Sequence, residues 1–88
     1  MEEERVILKF EKLYKNITLL EFNEKKEMFR DQYEKVTSSQ VKRRWKKFIF
    51  SFNMADYKRE RIWEYLNGDI EKNYFESFVD AVHKGWFK

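Results

Sequence analysis

The sequence predicts an all-α protein, a compact bundle of about five short helices forming a single domain over residues 1–88. Three observations predict it. Apolar residues recur every three to four positions along the whole chain, the period of a helix with one buried face. Pro is absent and both glycines follow the end of an apolar run, where helices stop. Two segments of the form Thr-x-x-Glu or Thr-x-x-Gln, Thr18–Glu21 and Thr37–Gln40, mark helix starts. No alternation of period two persists. Ile49-Phe50-Ser51-Phe52 is the best strand candidate, and a helical stripe runs through it.

The first helix carries Val6, Phe10, Leu13 and Ile17 inward, with Ile7 and Tyr14 widening the stripe. Thr18 and Glu21 form a capping box, and Ile17 and Phe22 occupy the positions of a hydrophobic staple. The second helix then buries Leu19, Phe22, Phe29, Tyr33 and Val36. Lys26 fills the gap in that stripe, its stem lying along the core and its head reaching water. Thr37 and Gln40 repeat the box, with Val36 and Val41 as the staple. The third helix presents Val41, Trp45, Phe48, Ile49 and Phe52 on one arc, as a single rod from Thr37 to Met54. Asn53 or Asp56 caps a fourth helix that buries Ile62, Trp63 and Leu66 and stops at Asn67-Gly68. Asp69 caps a fifth, with Tyr74, Phe75, Phe78, Val79 and Val82 inward and Gly85 at its end.

Charge is unevenly spread. The net value is +3, but residues 1–37 carry −1, residues 38–63 carry +6 and residues 64–88 carry −2. Lys42, Arg43, Arg44, Lys46 and Lys47 build the central block on the third helix, and Lys58, Arg59 and Arg61 extend it on the fourth. At 100° per residue the third-helix cations fall opposite the apolar stripe, and Phe50 and Met54 lie among them. The plain reading is a solvated helix face. The density, five cations in six positions, and the scarcity of acids nearby point instead to a surface that binds anions. Phe50 among these cations adds an apolar anchor.

The run from Val36 to Trp45 also has the shape of a turn entering a recognition helix. Gln40 suits adenine, and Arg43 or Arg44 suits guanine. Against a helix-turn-helix stand the missing turn glycine and a preceding helix crowded with Lys25, Lys26, Glu27, Arg30 and Asp31.

Catalytic chemistry is not written in the chain, and the sequence predicts no enzyme and no small-molecule substrate. His83 is the lone histidine, placed in a last helical turn where it caps. Glu24 and Glu27 flank lysines on a polar face, with no apolar pocket to raise a carboxyl pKa. The segment around Gly68 fails as a calcium loop, because Trp63, Tyr65 and Tyr74 would stand at ligand positions. With no Cys there is neither a disulfide framework nor a thiolate site. No cofactor and no metal are expected.

Seventeen aromatics, nine Phe, five Tyr and three Trp, exceed what so small a core hides. Phe50, Tyr57, Trp86 and Phe87 are the candidates for exposure. Exposed aromatics beside arginine are the composition of protein-interaction surfaces. The expected role is a small regulator, adaptor or inhibitor that contacts a protein partner, or a second copy of itself, through the basic-aromatic surface. Nucleic-acid binding by residues 38–54 is the alternative. The acidic start Met1-Glu2-Glu3-Glu4 is unlike a secretory signal, and no apolar run approaches the ~18 residues that span a bilayer. This predicts a cytoplasmic chain with no membrane contact. Abundant Lys, Asn, Phe, Tyr and Ile with little Ala fit a low-GC bacterial, phage or plasmid source.

Overall fold

The structure is a computed structural model that describes residues 2–86. It is an all-α bundle of α1 (Glu2–Tyr14), α2 (Leu19–Glu34), α3 (Ser39–Phe50), α4 (Asp56–Leu66) and α5 (Lys72–His83). No strand occurs among the described residues. α1 packs on α3, α3 on α4, and α4 on both α2 and α5, with α2 also against α5. The core is largely aromatic. Phe10, Phe22, Phe29, Trp45, Phe48, Phe52, Tyr65 and Phe75 are all buried, and their rings touch in tilted and edge-on pairs 4.8–6.2 Å apart. Such geometry places ring edges on ring faces and adds to the burial energy.

Local signals set several boundaries. The Thr18 hydroxyl accepts the Glu21 N–H at 3.1 Å, and the Glu21 carboxylate accepts the Thr18 N–H at 3.2 Å. Ile17 and Phe22 are buried beside this box. Gly68 and Gly85 close α4 and α5 with φ of 78° and 80°. At each stop two N–H groups turn back onto carbonyls of the last turn, Asp69 onto Glu64 and Gly68 onto Tyr65, then Trp86 onto Ala81 and Gly85 onto Val82. That pattern needs the left-handed residue only glycine adopts freely.

Other expectations need correction. The second box is displaced by one residue. Ser38, not Thr37, caps α3, and its hydroxyl accepts the Val41 N–H at 3.4 Å. The reaching carboxylate comes from α1. Glu3 Oε2 accepts both the Thr37 N–H (3.1 Å) and the Thr37 hydroxyl (2.7 Å), and Oε1 accepts the Ser38 N–H at 3.1 Å. α3 ends at Phe50, so the rod to Met54 is cut short. Phe52 turns inward from the following bend, where the Arg59 guanidinium holds its carbonyl at 3.0 Å. α4 starts from Ala55 without a side-chain cap, and Asp56 lies one position inside. α5 starts from Glu71, because Asp69 is used in closing α4.

Leu13 is 60% exposed, since its direction on α1 points along the α2 flank rather than into the core. Tyr74 is also exposed. Trp63 and Val82 are half-buried, and Tyr65, not foreseen as core, is buried under the Arg30 guanidinium at 4.7 Å. The Lys26 side chain is 8% exposed, and its head is held in the α2–α5 seam rather than free in solvent. Its Nζ donates to the Asn23 carbonyl and pairs with Glu76 of α5, each at 2.9 Å.

The Glu3 clasp carries a pH dependence. The Thr37 hydroxyl, then the backbone N–H groups of Ser38 and Thr37, hold its carboxyl below the ordinary glutamate value of 4.5. A lowered pKa in the folded state stabilises fully above the unfolded value and is lost as pH falls through the lowered one. Glu3→Gln is therefore expected to melt below the parent protein at pH 7, with the gap closing as pH drops below 4.5, in melts followed by circular dichroism. A gap that stays constant down to pH 2 would rule the clasp out.

Candidate functional site

The third helix displays its charge as its period requires, with Lys42, Arg43, Lys46 and Lys47 exposed and Val41, Trp45, Phe48 and Ile49 buried behind them. None of these four cations has an ion-pair partner among the described residues. Arg43, Lys46, Lys47 and Phe50 stand at intervals of three, one and three residues. They surround a shallow hollow of about 450 Å³. Phe50 is its half-buried aromatic wall, and the three exposed cations around it carry aliphatic stems that end in charged heads. Lys42 lies to one side, 5.9 Å from the centre of the Tyr33 ring.

The remaining candidates are not part of this face. Arg44 turns toward α1 and grips Glu11 with two hydrogen bonds, of 2.8 and 3.2 Å. That contact holds the guanidinium pKa above its ordinary value. Arg59 pairs with Asp56 and bonds the Phe52 carbonyl, so it fastens the α3–α4 bend. Arg61 pairs with Glu64 one turn on. Lys58 lies 5.9 Å from the Tyr57 ring centre and lines a separate hollow with Asn16, Thr18, Asn53 and Met54. The expectation that acids are too few to neutralise the basic block therefore fails for Arg44, Arg59 and Arg61. Glu11, the partner of Arg44, comes from the mildly acidic first third.

The aromatic expectations divide. Trp86 is 73% exposed, above Lys84. Phe50 and Tyr57 are half-buried and pack against the core, and Phe87 lies outside the described residues. Met54 lines the Lys58 hollow and is not among the residues around the Phe50 hollow.

The entrance to α3 bears on the helix-turn-helix alternative. A recognition helix offers its N-terminal N–H groups to phosphate. Here Glu3 and Ser38 already take the groups of Ser38 and Val41, and the Glu3 carboxylate puts negative charge at that end. The extensive packing partners of α3 are α1 and α4, whereas α2 meets it through Tyr33 against Trp45.

A second feature was not visible in the stripe pattern. Between α1 and α2 lies an apolar hollow of about 340 Å³ lined by Val6, Phe10, Leu13, Tyr14 and Met28, with Lys9 and Gln32 at its edge. The signal available was Met28, which stands off the Phe22–Phe29–Tyr33 stripe. Among the described residues no three His, Asp or Glu side chains gather closely enough to hold a metal ion. No described helix is long and apolar enough to cross a membrane. Neither a protein-family model, nor a curated protein, nor a solved structure matches the chain.

Proposed function

We propose that the chain is a cytoplasmic, non-enzymatic binding protein, a regulator, adaptor or inhibitor that takes an acidic segment of a partner protein on the outer face of α3. The observation that carries this reading is the hollow over Phe50, ringed by Arg43, Lys46 and Lys47, none of them paired with a carboxylate among the described residues. An aromatic wall among exposed cations suits a large apolar side chain flanked by Asp or Glu. The anchor supplies desolvation energy, and the flanking charges supply steering and register. The Glu3 carboxylate standing at the entrance of α3 favours this over insertion into a DNA groove.

The test is a titration of a labelled short peptide bearing one tryptophan among aspartates and glutamates, alongside duplex DNA and single-stranded RNA, at two salt concentrations. The peptide is expected to bind, and Lys46→Glu with Lys47→Glu to weaken it at least about tenfold. Both lysines are exposed, so the double variant is expected to keep its melting temperature within a few degrees. Nucleic acid bound more tightly than the peptide, with a log–log salt slope near −4 from four phosphate contacts, would replace this reading with the nucleic-acid one.

A further inference from the structure

The hollow between α1 and α2 is bounded differently from the face of α3. The two helices are joined by a short turn, yet they are not among the closely packed pairs. Large rings hold them apart. Phe10 and Tyr14 of α1 both meet Phe29 of α2 at 5.1 Å, and the space outside those rings is left open. Leu13 and Met28 flank it at 60% and 38% exposure. Two antiparallel helices with a ring floor between them form a trough, and the shape that fills a trough of this kind is a third helix.

Charge says which helix. Lys9 edges the hollow, Arg5 and Lys12 continue along the outer side of α1, and Lys25 stands on α2. All four are exposed and none has an ion pair among the described residues. Glu21, the acid nearest this end of α2, is committed to the Thr18 cap. A second copy docked by a two-fold axis through the trough would bring Lys9 against its own mate, with Arg5 and Lys12 close by, and like charges so placed oppose association. A helix with a leucine-type stripe and glutamates or aspartates along its flanks meets Arg5, Lys9, Lys12 and Lys25, which outnumber the exposed acids Glu2 and Glu24 one turn before Val6 and Met28.

We infer that the α1–α2 trough is a second docking site, which receives an acidic amphipathic helix of a partner protein. It lies on the α2 flank of α1, whereas Glu3 and Glu11 turn the other flank toward α3. The site is therefore separate from the Phe50 hollow and stands whether or not that hollow binds anything. Met28 suits it, because an unbranched thioether adapts to the side chains it receives.

The experiment uses the full chain with ¹³C-labelled methionine methyls. The probe is a synthetic helix-forming peptide with leucines spaced three and four residues apart and glutamates at the other positions. Saturable binding that shifts the Met28 methyl and leaves Met54, which lines another hollow, in place is the expected result. Leu13→Glu and Lys9→Glu, both at exposed positions, are each expected to weaken binding at least about tenfold, and a lysine version of the peptide to bind at least tenfold more weakly. Lys46→Glu with Lys47→Glu is expected to leave the affinity unchanged. Circular dichroism of Leu13→Glu verifies that the helices persist. An unmoved Met28 methyl at about 1 mM peptide, the affinity floor for a specific contact, overturns the proposal. So does binding abolished by the Lys46 and Lys47 changes, or dimerisation of the free chain that Leu13→Glu removes.

Discussion

Replacing Phe29 with alanine is expected to remove about 3–5 kcal/mol of stability, the usual cost of deleting a fully enclosed phenyl ring. Phe29 has no exposed surface, and its ring lies 4.8–5.1 Å from those of Phe10, Tyr14 and Phe22. Two of these neighbours belong to α1 and one to α2, so the ring is the wedge that sets the distance between the helices. Collapse of the space is resisted because the surrounding rings are rigid and already in contact. For a folded chain of 88 residues the total stability is about 4–13 kcal/mol. The variant is therefore expected to sit near the edge of folding at 25 °C. Urea titration followed by tryptophan fluorescence reads this directly, since Trp45 is fully buried. A loss below about 1 kcal/mol would mean that the α1–α2 wedge is not formed as described.

The second large effect is asymmetric. Removing Glu76 with Glu76→Ala is expected to cost about 2 kcal/mol, while Lys26→Met is expected to be neutral or stabilising. The Lys26 side chain is 8% exposed and Glu76 is 41% exposed. Loss of Glu76 leaves an ammonium in the α2–α5 seam with the Asn23 carbonyl as its remaining partner. The cost falls below that of breaking a fully buried pair because water reaches the site from the Glu76 side. Methionine keeps the buried stem and dispenses with the charge altogether. Thermal melts of the two variants test the pair, and equal losses from both would contradict the buried position of Lys26.

How much of this was legible in the sequence depends on where each partner lies. The Thr18 box and the two glycine stops were readable because donor and acceptor sit within five residues of one another. The start of α3 was misplaced by one position because its second cap is Glu3, 34 residues upstream of Thr37, and no local pattern points there. Asp69 looks like a cap until the closing turn of α4 claims its N–H. The candidate face was legible in outline, since helical spacing alone sets Arg43, Lys46, Lys47 and Phe50 together. What spacing omits is which cations are already satisfied. Arg44 differs from Arg43 only by facing α1, where Glu11 awaits it. Leu13 and Tyr74 fit the apolar period and still face solvent, because a stripe gives direction and not the width of the neighbour that covers it.

The pairing of α1 with α3, and of α2 with both α4 and α5, has a consequence for how the chain assembles. Each of these unions skips at least one intervening helix. A bundle made of adjacent hairpins can acquire order piecemeal, one antiparallel pair at a time. Here the leading segments find their main neighbours only after later ones have arrived, so ordering is delayed until distant stretches have met. Loop-closure entropy is then spent before contacts repay it, which slows folding relative to a bundle of nested hairpins. Severed in the bend between α3 and α4, neither piece retains the surfaces that complete it, and the two pieces become complements of each other.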